Sequence, residues 1–224
     1  MINSFTCNTE RAATVAGFAG INHTGKYVGK ITQCEVADSP SGATYVEIAF
    51  KATSWEVKNE DGTVSTGAGD AMTFIRTYIT SKTGERTFGY DIVDALMAVL
   101  KIDKMDVQPM KVFGRNWRND NNDQHQGYRV PALEKQRIGL LLQRENRQYT
   151  DSNGNVRDSF NMNIITPYNP DTMQNAAEVL RGSDAVTVEQ RFKNLRDKAA
   201  KQPRTSSYQP TAADTATAVD DDPF

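Results

Sequence analysis

Cysteine and histidine are scarce in this 224-residue chain, with two of each. Cys7 and Cys34 stand far apart with no CxxC pairing, so neither a disulfide framework nor a zinc ribbon is expected, and both are read as reduced structural thiols. His23 and His125 do not lie at ligand spacing from each other or from the cysteines, so no metal and no cofactor are expected. No apolar run approaches the roughly 18 residues a membrane span requires, and a membrane role is excluded as an expectation. At the start of the chain, Asn3, Asn8, Glu10 and Arg11 interrupt the apolar residues, so a secretory signal is missing and a cytoplasmic protein is expected. A large excess of either charge is also lacking, because the net charge is only -2.

That small net charge conceals an uneven distribution. From Lys201 onward two basic residues face four acidic ones, and without them the body carries equal numbers of each. Within the body, residues 109–148 hold eight basic residues (Lys111, Arg115, Arg118, Arg129, Lys135, Arg137, Arg144, Arg147) against Asp120, Asp123, Glu134 and Glu145. Such a basic segment fits a polyanionic partner better than the overall charge does.

Periodicity sets the expected elements. A short helix is predicted over 9–18, capped by Asn8. A strand over 26–36 ends at the turn signal Ser39-Pro40-Ser41-Gly42. The next strand, 44–52, alternates Val46, Ile48 and Phe50 with Tyr45, Glu47, Ala49 and Lys51, so the first set is expected in the core. A glycine-rich connection over 59–70 leads to a third strand, 71–80, where Ile75, Thr77 and Ile79 oppose Met72, Phe74, Arg76 and Tyr78. Helical spacing of Ile92, Leu96, Val99 and Leu100 predicts a helix over 91–102 with Asp91 as its N-cap. Residues 110–117 alternate again, and 137–149 and 156–165 bracket the turn Asp151-Ser152-Asn153-Gly154 as a long hairpin.

Strand, strand, strand, helix, strand, strand is the order of a five-stranded Greek-key barrel, the OB-fold. A mainly β OB-fold domain over 1–170 is therefore expected, with one internal helix. A helical appendage over 171–200 follows, with short helices at 173–180 and 188–199 that could cover the barrel or bind a neighbouring copy, a homo-oligomer being one option. From 201 to 224 the composition of Pro, Ser, Thr, Ala and Asp holds too little apolar surface to offset the entropy of ordering, so an acidic disordered tail is expected.

Binding single nucleic-acid strands without sequence preference needs cations for phosphates and flat rings for bases. Two segments offer both in alternation: Phe74, Arg76 and Tyr78, and Lys111, Phe113, Arg115 and Trp117. Tyr45 and Lys51 belong to the neighbouring non-core face, Arg118, Tyr128 and Arg129 flank the polar loop 119–127, and Arg144 and Arg147 lie on the hairpin. The competing structural role is packing of Phe74 and Tyr78 beneath terminal helices. Catalytic readings rest on Asp91 with Asp94 or Asp120 with Asp123 as nuclease metal ligands. The first pair suits a helix N-terminus and the second an exposed loop, and no nucleophile, base and orienting group come together, so an enzyme is not expected.

The chain ends Asp220-Asp221-Asp222-Pro223-Phe224, which offers a partner protein a ring, a terminal carboxylate and steering negative charge. This tip resembles that of the single-stranded-DNA-binding protein family, whose bacterial members end in an acidic stretch closed by Pro-Phe. It departs in lacking the aliphatic residue that often precedes the proline. Thr24-Gly25-Lys26-Tyr27-Val28 and Gln136-Arg137-Ile138-Gly139-Leu140-Leu141-Leu142-Gln143-Arg144-Glu145 are similar to a phage-encoded branch of that family. The resemblance is loose over residues 24–168 and close over the last five. It implies coating of exposed single-stranded DNA during phage replication, recombination or repair in the cytoplasm of a bacterial host. It also implies recruitment of phage or host replication and recombination proteins through the tip. A single-strand annealing recombination protein is the alternative, and RNA binding a third option.

Overall fold

The computed structural model describes residues 19–39, 41–59, 61–113, 124–151 and 153–200, with backbone alone at 19, 110–113 and 124–126. The helix expected over 9–18, Cys7, and the tail from 201 lie outside these residues. The protein is mainly β, built on an antiparallel sheet with few helices.

Three long strands form the centre: β2 (Gly25–Asp38), β3 (Thr44–Lys58) and β4 (Val64–Tyr78). They pair as successive antiparallel hairpins, and a two-residue β1 (Ala19–Gly20) runs parallel to β4. The first turn closes through Gly42, at φ 85°, whose N–H donates to the Ser39 carbonyl at 2.9 Å. The second closes through Gly62 at φ 83°.

Residues 64–70, expected as part of a loop, instead continue β4 and pair with the far end of β3. The glycines there serve packing: a Cβ on Gly67 would lie 2.4 Å from Nε1 of Trp55, so the indole lies across a strand position that only glycine leaves open.

After β4 comes α1 (Phe88–Leu100), which buries Ile92, Val93, Leu96 and Val99. It begins earlier than the expected 91. Thr87 is the N-cap residue, and Asp91 sits in the first turn, where the helix dipole favours a carboxylate. The Thr87 hydroxyl donates to the Tyr78 carbonyl rather than capping the helix. Lys101 ends α1 in the left-handed region at φ 55°.

Of the strand expected over 110–117, residues 110–113 belong to β5 (Gln108–Phe113), which pairs as a hairpin with β6 (Gln124–Arg129), while 114–117 lie outside the described residues; β6 takes residues 124–127 out of the expected loop. A single 3-10 turn at Pro131–Leu133 leads to β7 (Arg137–Thr150) and β8 (Val156–Tyr168), the expected long hairpin. Its turn closes with the Asp151 N–H on the Asn155 carbonyl at 2.9 Å and Gly154 at φ 80°.

The second edge of β2 is shared: β7 pairs with Gly25 to Lys30, and β6 pairs with Glu35 and Val36. Strands β4 and β8 pack against each other, but among the described residues no ladder joins them. The main core brings Ile31, Phe50, Ile75, Leu96, Leu133, Ile138, Leu140 and Leu142 together. Cys34 is buried there as a free thiol, pushed up to about 12 by burial and by the nearby carboxylates Glu134 and Glu35, which makes it a poor nucleophile.

Two short helices follow, α2 (Ala176–Arg181) and α3 (Thr187–Asn194), each shorter than expected. Asn175 and Glu178 form a capping box on α2, and the buried Glu178 carboxylate also accepts the N–H groups of Val186 and Thr187 at 2.9 and 2.8 Å. Burial would raise its pKa, but these donors outweigh burial and hold it at about 2. Helix α3 stops at Asn194 because the chain beyond it pairs with β7: the Lys198 N–H donates to the Arg144 carbonyl and the Asn146 N–H to the Lys198 carbonyl. Among the described residues no helix is long and apolar enough to cross a membrane.

Candidate nucleic-acid interface

In an antiparallel ladder, residues directly opposite share a face, so register converts the alternation of β2, β3 and β4 into rows. On the face turned away from the main core, one row runs Ala37, Tyr45, Tyr78. The next runs Arg129, Glu35, Glu47, Arg76 across four strands. Beyond it lies Gln33, Ala49, Phe74, then Met72, Lys51, Lys30, Arg137. Rows along a strand are about 6.6 Å apart, so the rings and cations spread over roughly 20 Å.

Arg76 is the hinge of this surface. Its guanidinium lies 4.1 Å from the centre of the Tyr45 ring, and Nε and Nη2 each reach Glu47 Oε2 at 3.1 Å. Burial opposes the charged form of Arg76, but Glu47 together with Tyr45 and Tyr78 outweighs it and the pKa rises. Tyr45 and Tyr78 meet edge to face, with centroids 6.0 Å apart and planes at 71°. Tyr45 is therefore not a stacking surface for a base, as its sequence position suggested. It is only 7% exposed and supports Arg76 and Tyr78 from below. Burial raises its pKa, with Arg76 opposing the rise. Phe74 and Tyr78 are 45% and 41% exposed, large values for rings in mid-sheet.

Of the terminal helices that could have buried these rings, the described C-terminal ones lie elsewhere, and the one expected over 9–18 is outside the described residues. Helix α3 covers the far half of the same sheet face, where Lys26 is buried with its Nζ 3.0 Å from Glu56, 2.5 Å from Glu189 and 4.8 Å from the centre of the Phe192 ring. Thr24 extends this anchor, its hydroxyl donating to Asp197 at 2.5 Å.

Other expected residues are dispersed. Arg129 joins the face and is held by Glu134, whose buried carboxylate accepts from Arg129 Nε at 2.7 and 2.8 Å; this pairing lowers the Glu134 pKa against the effect of burial. Tyr128 pairs with Val36, one residue out of phase, and so takes the opposite face. Arg144 lies over the Phe160 ring at 4.5 Å and donates to the Asn22 carbonyl, while Arg147 faces Glu145 at 3.6 Å. Both sit roughly 23 to 33 Å along β7 from Arg137, away from the Phe74 rows. The backbones of Lys111 and Phe113 pair with Gln126 and Gln124. Arg115, Trp117 and Arg118, and the tip Asp220 to Phe224, lie outside the described residues.

Sequence reading gave several neighbours no place on this face, although it counted Arg137 in the basic segment 109–148. Lys30 and Arg137 enter the face through the pairing of β2 with β7. Arg86 stacks on Tyr90 at 4.0 Å and is held by Asp91 and Asp94, and Phe88, two residues from Arg86 and from Tyr90 in sequence, is exposed. Gly89 allows this group to approach the sheet, since a Cβ there would lie 2.0 Å from the Tyr78 carbonyl oxygen.

Comparison of the chain with models of known protein families and with curated proteins finds no match. Among the described residues, no group of three or more His, Cys, Asp or Glu side chains is placed to hold a metal ion.

Proposed function

We propose that this protein binds single-stranded DNA without sequence preference, through the rows that carry Phe74, Tyr78, Arg76 and Lys51. The observation that carries this reading is the pair of exposed rings beside a guanidinium fixed over Tyr45, on a sheet face the C-terminal helices leave open. Stacking is indifferent to base identity because every base has a flat face, and cations at strand spacing suit a phosphate chain.

An OB-fold barrel is the architecture we assign to this sheet. The order β2, β3, β4, α1, β7, β8, with β7 returning to β2 and β8 packed on β4, supports it, and the β5–β6 hairpin is then an insertion. The tip Asp220 to Phe224 is proposed to recruit phage or host replication and recombination proteins, and the basic segment 109–148 to add phosphate contacts.

A binding series with single-stranded DNA, duplex DNA and RNA of matched length across a salt gradient tests the function. Tight binding to single-stranded DNA that weakens steeply with salt is expected. A protein that leaves oligo-dT unbound at low salt, or that prefers duplex, refutes it, and preference for RNA reassigns the ligand.

A further inference from the structure

Resting on the proposed function, we infer that Lys51, Lys30 and Arg137 form a dedicated phosphate-tracking row, and that Asp70 and Asp171 are its resident counter-ions, displaced when a strand binds. Lys51 is directly opposite Lys30, and Lys30 directly opposite Arg137, so three cations cross β3, β2 and β7 in one register row. Like charges directly opposite one another destabilise a sheet. The adjoining positions on this face, Val28, Ala49 and Gly139, carry no negative charge to relieve the repulsion.

Among the described residues, relief comes from the two ends of the row. Lys51 Nζ meets Asp70 at 2.8 Å, and Arg137 Nη1 meets Asp171 at 2.5 Å. Both carboxylates are more than half exposed, at 57% and 74%, so they can turn into solvent at little cost. The other cations of the face differ: Arg76 and Arg129 are clamped by Glu47 and Glu134, whose side chains are 13% and 3% exposed. A buried carboxylate cannot yield to phosphate without leaving a charge stranded. The face therefore divides its work, with clamped arginines as flat supports and loosely paired cations for the phosphate chain.

The test measures binding of the full chain to fluorescent oligo-dT between roughly 50 and 200 mM salt. Lys30→Ala with Arg137→Ala should weaken binding and lower the slope of log K against log salt by about 1.4, the value for two lost contacts to a single strand. Lys104→Ala with Arg181→Ala removes the same charge away from the row and should leave the slope unchanged. Asp70→Asn with Asp171→Asn should tighten binding about 2- to 30-fold at low salt, the range expected from losing two exposed competing pairs. Asp103→Asn with Asp106→Asn, equal in charge, should not. A wild-type slope in Lys30→Ala/Arg137→Ala, or equal effects of the two Asp→Asn pairs, overturns the row while leaving single-strand binding standing. Failure of the wild type to bind oligo-dT removes the proposed function itself.

Discussion

Replacing Arg76 by lysine separates plane from charge at the centre of the candidate interface. Lysine keeps the positive charge opposite Glu47 but loses the flat guanidinium 4.1 Å from the Tyr45 ring and the two N–H groups that grip Glu47. The folded protein should lose about 1 to 2 kcal/mol, from a half-buried cation–π contact and a weakened charged hydrogen bond. Binding should suffer more. If a base stacks across Arg76 and Tyr78, the plane contributes about 1 to 3 kcal/mol, so the dissociation constant should rise roughly 5- to 150-fold. The salt slope should stay at its wild-type value because no charge is removed. Fluorescence anisotropy with oligo-dT at several salt concentrations, run well below the melting midpoint of each variant, reads both quantities. Arg76→Ala completes the set. Wild-type affinity in Arg76→Lys with weak binding in Arg76→Ala would show that charge alone matters and that the stacking argument is wrong. Normal binding in both would move the interface off this face.

Three further outcomes follow from individual contacts. Gly139→Ala should destabilise the fold by about 1 to 3 kcal/mol in thermal or denaturant melts, because its Cβ would lie 2.2 Å from the buried Tyr168 ring, and the cost should shrink in a Tyr168→Ala background. Glu178, held at about 2 against an ordinary 4.5, contributes stability that is complete above about pH 4.5 and fades as pH falls towards 2. Protection of the Val186 and Thr187 amides, taken relative to the intrinsic exchange rate at each pH, should therefore fall with acid in the wild type and be lowered already at neutral pH in Glu178→Gln, and equal protection in that variant would count against the assignment. Deleting Asp220 to Phe224 should abolish capture of partner proteins and tighten DNA binding at low salt, since the aspartates compete with phosphate; unchanged capture and unchanged affinity would dismiss that role for the tip.

Alternation and turn chemistry made the strands legible, and register decided what the strands could do. Val46, Ile48 and Phe50 point into the core as their spacing required, and the glycines at 42 and 154 sit in turns with positive φ. Gly67 misled, because its glycine answers to an indole from the next strand rather than to a loop. Asp91 misled in a similar way: a carboxylate suits a helix start, but Asp91 occupies the first turn while Thr87 is the N-cap and Gly89 packs on the Tyr78 carbonyl. Tyr45 was placed on the correct side of β3, yet period-two spacing cannot reveal that Arg76 and Tyr78 close over it. Lys30 and Arg137 show the deeper limit. Nothing local marks Lys30 as a candidate binding residue and only its place in the basic segment 109–148 marks Arg137, and the two come together because β7 returns to the same edge of β2 that β6 occupies further along. A single strand read alone yields which face a side chain takes, whereas a ligand that crosses strands is met by whichever residues the ladder aligns. The row of three cations is for this reason a property of pairing, and a one-residue slip of β7 against β2 would replace Arg137 on that face by a core residue.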